Sequence, residues 1–190
     1  MSQELEIEFK NMLTKEEFEQ LKSYYQFTQD QFVAQHNHYY DTAAFSLKEK
    51  GAALRIREKQ GRHVLTLKEP APVGLTETHQ TLPSKPDFEH FHIPKGHVFD
   101  RLQDLGIEPG DLGYFGTLTT DRAEKKLPEG LIVLDHSRYL QVEDYEIEFE
   151  VADYEQGKLD FAKLLKTFGI PKRDTKNKIV RFYEQKVKNN

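Results

Sequence analysis

The segment ELEIEFK, residues 4–10, alternates acid and apolar residue and ends on lysine. Alternation of period two is the pattern of a β-strand with two unlike faces. Glu4, Glu6, Glu8 and Lys10 share one face, and Leu5, Ile7 and Phe9 share the other. The pattern returns in LRIREK (54–59), VLTLKE (64–69) and YEIEFEV (145–151), with a more apolar run in GLIVLDHSRY (130–139). Gln60 and Gly61 separate two of these runs, so residues 54–69 read as a hairpin. The sign of the polar faces is what constrains the fold. Glu4, Glu6 and Glu8 form one acidic row, and Glu146, Glu148 and Glu150 form another. Arg55 and Arg57 form a basic row, with Lys68 across the same hairpin. One such row is an ordinary solvated strand face, and Glu4 and Glu150, at strand ends, read that way. Several same-sign rows on an outer surface would set like charges beside each other across strands, which is destabilising. Acidic and basic rows facing one another across an enclosed space avoid that repulsion.

A closed antiparallel barrel provides this arrangement, because its interior takes every second residue of each strand. A charged interior has to hold water, ions and a charged ligand, since bare buried charge is very costly. Leu5, Ile7, Phe9, Leu54, Ile56, Ile147 and Phe149 then point outward and need a covering layer. Amphipathic helices are available for it. TKEEFEQLKSYY opens on Thr14 with Glu17 three residues later, a capping box, and Leu13, Phe18, Leu21 and Tyr25 recur at helical spacing. DYEQGKLDFAKLLKTFG carries Leu159, Phe161, Leu164, Leu165 and Phe168 on one face and stops at Gly169. KGHVFDRLQDLG and the closing TKNKIVRFYEQKVKNN complete the set. The expected class is α+β: a closed antiparallel barrel with helices packed outside, one domain over residues 1–190.

Charged residues make up 31% of the chain, yet the formal net charge is only −5. That balance argues against a nucleic-acid partner, which calls for a basic excess. Cysteine is absent, which removes disulfides and thiolate metal sites. MSQELEIEFK has neither a basic start nor an apolar run, and no stretch approaches a membrane span, so a cytoplasmic protein without a membrane partner is expected.

Carboxylates two residues apart on a strand lie about 6.6–6.8 Å apart, whereas the ions of a two-metal phosphoryl site lie about 3.5–4 Å apart. One strand therefore cannot close a metal site alone. Two converging acidic strands can, with Glu6 and Glu8 opposite Glu146 and Glu148. Oxygen-only donors suit Mg²⁺ or Mn²⁺. Without a cation these glutamates are expected to push one another's pKa upward. Guanidinium and ammonium rows suit phosphate oxygens. Acid for metal and base for phosphate describe a polyphosphate site.

EIEFK, with Glu6, Glu8 and Lys10, resembles the Glu-x-Glu-x-Lys signature of the CYTH superfamily, the triphosphate tunnel metalloenzymes. Further motifs follow in that family's order: YYDT (39–42), LRIR with Arg55 and Arg57, TLK with Lys68, TET with Glu77, TDRAEKK with Arg122, VLDHSRY with Asp135, YEIEFEV with Glu146 and Glu148, and TKNK with Lys178. The chain most resembles the small bacterial branch called YjbK-like. Where the family often has Ser-Lys near its end, this chain has Asn177-Lys178. The resemblance implies an eight-stranded antiparallel tunnel that binds a triphosphate with Mg²⁺ or Mn²⁺. It implies metal ligation by Glu6, Glu8, Glu146, Glu148 and Asp135, and phosphate contact by Lys10, Arg55, Arg57, Lys68, Arg122 and Lys178. The resemblance also implies Glu77 as a candidate additional tunnel residue. Lys10, Glu6 and Glu8 form the expected catalytic group. Lys10 is read as a phosphate contact, since neighbouring glutamates oppose its deprotonation.

The leading expectation is a metal-dependent hydrolase of a small-molecule triphosphate, inorganic tripolyphosphate first, working as a monomer or homodimer. A class IV-type adenylate cyclase and a non-catalytic module binding polyphosphate or nucleotide are the alternatives. His36 and His38 in QHNHYY are spaced to share a strand face and are expected to face solvent. Tyr39 and Tyr40 read as core and rim aromatics, and Asp41 and Thr42 as a turn or cap.

Overall fold

The structure, a computed structural model, describes residues 3–188. Eight strands run in the order β1 (Gln3–Leu13), β2 (Val33–Thr42), β3 (Ala53–Lys59), β4 (Arg62–Pro70), β5 (Leu75–Leu82), β6 (Leu112–Leu127), β7 (Gly130–Tyr139) and β8 (Val142–Val151). The helices are α1 (Lys15–Tyr24), α2 (Ser46–Glu49), α3 (His97–Asp104), α4 (Tyr154–Thr167) and α5 (Lys178–Lys188). Hydrogen bonding follows the order β1-β5-β4-β3-β2-β6-β7-β8 and returns to β1, so the antiparallel sheet is a closed barrel. The fold is the expected α+β class. None of the described helices is long and apolar enough to cross a membrane.

Contacts divide the chain into two compact units, Met1–Glu6 with Gln35–Leu118, and Ile7–Ala34 with Thr119–Asn190. In the first unit, Leu54, Ile56, Leu65, Leu67 and Tyr40 form one face of the sheet and pack with Val98 and Leu102 of α3. In the second, Ala123, Ile132, Leu134, Ile147 and Phe149 pack with Phe18 and Leu21 of α1 and with Phe161 and Leu165 of α4. Full burial of each such aliphatic side chain contributes about 1.5–3 kcal/mol. Phe9, Leu54, Ile56, Ile147 and Phe149 of the outward apolar set thus pack under helices as expected, whereas Leu5 stays 58% exposed.

Local signals act where the sequence places them. The Thr14 hydroxyl accepts from the Glu17 amide, and the Glu17 carboxylate accepts from the Thr14 amide. Leu13 and Phe18 flank this cap in one cluster, a hydrophobic staple. Gly157 allows α4 its close approach to the sheet, because a Cβ there would meet Val151 at 2.5 Å and Phe9 at 3.0 Å. Asp41 caps the short α2 by accepting from the Leu47 and Lys48 amides. One bound differs from expectation, and one is not tested. The final helix starts at Lys178, with the Asn177 carbonyl taking the amides of Val180 and Arg181. Residues 189–190, expected at its frayed end, lie outside the described residues.

Candidate active site

In the second unit, strand register builds a charged face. Arg122, Asp135 and Glu146 stand directly across from one another on β6, β7 and β8. One step along, Glu148 is opposite Lys10 of β1. Alternation sends Ala123, Leu134 and Ile147 to the helix-covered face and these ionic residues to the other. Asp135 and Glu146 are fully buried, and Glu148 nearly so.

A sixth ionic residue arrives from far along the chain. Asn11, fully buried on β1, donates to the Pro171 carbonyl and accepts from the Arg173 amide. The Met12 amide donates to the Thr175 hydroxyl. These bonds hold the segment after α4 against β1 and deliver Lys178, the first residue of α5, into the carboxylates. Its Nζ lies 2.8 Å from Asp135, 2.9 Å from Glu146 and 2.5 Å from Glu148. Arg122 forms a bidentate pair with Asp135 at 2.8 and 2.7 Å and reaches Glu148 at 2.6 Å. Arg181 bonds Glu146 at 2.8 Å and Asp144 at 3.1 Å. Lys10 pairs with Glu8 at 2.5 Å and donates to the Asn177 side-chain oxygen at 3.0 Å.

These cations reverse the expected direction of carboxylate titration. Burial raises the pKa of Asp135 and Glu148, but attraction to Arg122 and Lys178 outweighs it, and both lie below their ordinary values. Mutual repulsion of the acids does not decide the outcome, because the protein supplies its own counter-ions. Burial alone would lower the Lys10 pKa; Glu8, Glu148 and Glu146 overcome it, and the net shift is upward. Lys10 therefore stays protonated at neutral pH and is unsuited to act as a base. The register also differs from the expected facing of Glu6 and Glu8 with Glu146 and Glu148. Met12 lies opposite Glu146, and Glu8 opposite Glu150.

Asp135, Glu146 and Glu148 each offer an oxygen within 4.8 Å of the others. The Oε1 of Glu146 is buried and has no hydrogen-bond partner among the described residues. An oxygen-only trio with an orphaned acceptor fits a hard divalent cation.

In the first unit the polar face is more basic. Register aligns Glu4, Glu77 and Lys68 across β1, β5 and β4, and His79, Thr66, Arg55 and Tyr39 across β5 to β2. Lys68 bonds Glu6 at 2.7 Å and also pairs with Glu77. The Arg57 guanidinium donates to the Asn37 side chain at 3.0 Å. Arg55 is buried, and its Nε has no hydrogen-bond partner among the described residues. Burial pushes the Glu77 pKa up, but the His79 hydrogen bond and the Lys68 and Arg55 charges carry it below its ordinary value. The Glu77 hydrogen bond raises the His79 pKa, aided by Glu4 and opposed by burial.

Sequence reasoning missed Arg181, Asn177 as the partner of Lys10, and His79. Arg181 was findable, since it follows Lys178 by three residues on a helix and so shares its face. His79 continues the alternation of Glu77. The bond from Asn177 to Lys10 spans 167 positions and leaves no local sign.

Comparison with known proteins agrees with this picture. A model of the CYTH domain matches residues 4–183. YjbK of Bacillus subtilis strain 168, a candidate triphosphatase, is 60% identical over 188 residues, 99% of each chain. The crystal structure of a candidate adenylate cyclase from Bacillus halodurans is 45% identical with a TM-score of 0.90, covering 96% of this chain and 100% of that one. A Hippeastrum protein first taken for an adenylyl cyclase, whose structure is described with a dominant triphosphatase activity, is 26% identical with a TM-score of 0.76, over 95% and 96% of the two chains.

Proposed function

This chain belongs to the CYTH domain family, and we propose that it is a divalent-metal-dependent triphosphatase whose substrate is inorganic tripolyphosphate. The observation that carries the reading is the buried trio of Asp135, Glu146 and Glu148, with its orphaned Glu146 oxygen, set among Arg122, Lys178 and Lys10. The trio would hold Mg²⁺ or Mn²⁺, with Glu8 in the same unit as a further ligand. Such an ion, when bound, polarises a phosphoryl oxygen and lowers the pKa of a coordinated water.

The protein's own groups divide the remaining work. Arg122 and Lys178 neutralise the carboxylates in the resting arrangement. Once the trio has another cation, they turn to phosphate oxygens, arginine through its fork and lysine as a point charge. Lys10, held protonated by Glu8 and aimed by Asn177, is a further phosphate contact. In the first unit Arg55, Arg57 and Lys68 are phosphate contacts as well, and Arg55 has a donor to give without breaking a bond. Glu77 holds Lys68 in place. Fixed charges of this kind stabilise the spreading charge of in-line phosphoryl transfer with little reorganisation.

An adenylate cyclase of class IV type is the second reading, favoured by the name of the Bacillus halodurans relative. The YjbK name and the Hippeastrum description favour hydrolysis. Turnover of tripolyphosphate, ATP, GTP and thiamine triphosphate with Mg²⁺ or Mn²⁺ separates the two. Orthophosphate release from tripolyphosphate, lost in Glu148→Gln, supports the proposal. Cyclic nucleotide with pyrophosphate from ATP replaces it with the cyclase reading. Binding without turnover leaves a polyphosphate-binding module.

A further inference from the structure

Arg181 has no part in the phosphate chemistry argued above, yet it touches one carboxylate of the trio. Asp144 and Glu146 are two residues apart on β8 and so share its polar face. Arg181 follows Lys178 by three residues on α5 and reaches both acids. Its Nη2 donates to Glu146 Oε2 at 2.8 Å and to Asp144 Oδ1 at 3.4 Å. Its Nε lies 3.1 Å from Asp144 Oδ2, and its Nη1 donates to the Lys176 carbonyl at 2.7 Å. Asp144 is fixed in turn, because the buried Tyr139 donates its hydroxyl to Oδ2 at 2.7 Å. Phe182, the next residue of α5, is buried with its ring centroid 6.0 Å from that of Tyr139. All of these residues belong to the second unit.

The contacts divide the two oxygens of Glu146. Oε2 takes Arg181 at 2.8 Å and Lys178 at 2.9 Å. Oε1 is buried and has no hydrogen-bond partner among the described residues. The two cations on Oε2 are held differently. Lys178 is a single ammonium shared with Asp135 and Glu148, and under the proposed function it turns to phosphate. Arg181 is tied through its other nitrogens to Asp144 and the Lys176 carbonyl, so it stays on Oε2 when Lys178 leaves. Burial alone would lower the Arg181 pKa; Glu146 and Asp144 overcome it, and the net shift is upward, so the guanidinium stays charged. Asp144 balances that charge locally, and the pair opposes an incoming cation less than a lone arginine would.

We propose that Arg181 is a positioning residue for the metal trio: anchored by Asp144 and Tyr139, it holds Oε2 of Glu146 and thereby presents Oε1 to the divalent cation. The inference rests on the metal-binding role proposed for the trio. Ligating carboxylates are themselves hydrogen-bonded, and loss of such an outer partner typically costs 10–100-fold in metal affinity. Charge alone argues the other way. An arginine beside a cation repels it, so its removal would tighten metal binding if it had no positioning role. The two readings of Arg181 therefore predict opposite signs.

The test is Mn²⁺ titration of the full chain without triphosphate, read by calorimetry and by the electron paramagnetic resonance of free Mn²⁺. Arg181→Gln should weaken Mn²⁺ about 10–100-fold. Tyr139→Phe keeps every charge and only loosens Asp144, and it should weaken Mn²⁺ about 2–10-fold, the worth of one net hydrogen bond. Arg181→Lys keeps the charge without a fork to bridge Asp144 and Glu146, and should recover only part of the affinity. Lys176→Gln removes a surface charge from the same segment and should leave affinity unchanged. In turnover, half-saturating Mn²⁺ should rise in Arg181→Gln while kcat at saturating Mn²⁺ moves less. Unchanged or tighter Mn²⁺ binding in Arg181→Gln overturns the proposal; if circular dichroism shows that variant unfolded, wild-type affinity in Tyr139→Phe overturns it instead. A raised KM for tripolyphosphate at unchanged Mn²⁺ affinity makes Arg181 a phosphate contact and overturns it as well. Absence of Mn²⁺ binding in the wild type overturns the metal trio itself, and this inference with it, so the two failures are told apart.

Discussion

The polar faces of the two units are written in the same period-two alternation but solve opposite electrostatic problems. In the second, Asp135, Glu146 and Glu148 are each met by at least one cation, and Lys178 touches all three. In the first, Lys68 serves two glutamates, while Arg55 is buried with an unused donor. Buried charge is tolerable only when paired and hydrogen-bonded. A charge met by several partners can therefore be interior in the ligand-free protein, whereas the unpartnered Arg55 donor leaves room for an anion and the orphaned Glu146 oxygen leaves room for a cation. Under the proposed function, the second unit's trio is the place for metal and the first unit's unused donor a place for phosphate.

The largest effect should come from breaking the network around Glu148. Glu148→Gln removes a carboxylate oxygen of the proposed metal trio and leaves Arg122 and Lys178 short of a partner. Turnover should fall on the order of 10³-fold, a loss comparable to removing a main transition-state stabiliser. Stability should fall by about 3–5 kcal/mol, as for an uncompensated buried charge. Kinetics and denaturant melts check both. Arg55→Ala touches the first unit's polar face and should behave differently. KM should rise about 10–100-fold, the loss of one charge-assisted contact, with kcat less affected and stability near that of wild type. If Arg55→Ala lowers kcat as much as Glu148→Gln does, the division of labour is wrong.

Proton linkage sharpens the same contrast at smaller scale. Asp135 and Glu148 have depressed folded pKa values. Their contribution is present above the unfolded values, about 3.9 and 4.3, and is lost as pH falls through the folded ones. The second unit should thus weaken only in acid. His79 has a raised folded pKa. Its contribution is complete below the unfolded value of about 6.5 and is lost as pH rises through the folded one. Melting temperature should therefore decline modestly between pH 6 and 9 in wild type, and His79→Gln should flatten that slope while leaving the acid limb intact. A slope unchanged in His79→Gln would remove this residue from the comparison.

What was legible in the sequence and what was not follows from range. Alternation and same-sign rows marked β1, β3, β4, β7 and β8 as two-faced strands, and thereby the barrel and the apolar layer under the helices. The capping box at Thr14 and the stop at Gly169 are local and could be read directly. The 16-residue β6 carries no clean alternation, so its length was not evident. Register is a long-range property: Lys10, not Glu8, lies opposite Glu148 because of how β1 slides along β8. Lys178, at the start of a helix, carries no local sign of burial. Its burial among three acids is set by Asn11 and Thr175 pinning the preceding segment. The sign of the carboxylate pKa shifts depends on those same cations, and so could not be foreseen from the glutamates alone. His38 was misplaced because alternation assigns a residue to a face without saying what covers that face.

Asn177 gives the smallest effect and tests how local its role is. Its carbonyl starts α5, and its side chain accepts from Lys10 at 3.0 Å. Asn and Ser are nearly equal at a helix N-terminus, so Asn177→Ser should change stability by only a few tenths of a kcal/mol. The hydroxyl keeps an acceptor but on a shorter side chain, so Lys10 keeps its Glu8 pair and loses some of its aim. Turnover should stay within about fivefold of wild type, since net hydrogen-bond contributions are about 0.5–1.5 kcal/mol. Asn177→Ala, which removes the acceptor altogether, should cost more in kcat than Asn177→Ser, with the same helical content by circular dichroism. Equal activity in the two variants would show that Glu8 alone aims Lys10. A collapse in Asn177→Ser would show that the 177–10 bond, and not the carboxylate pairs, fixes where α5 enters the site.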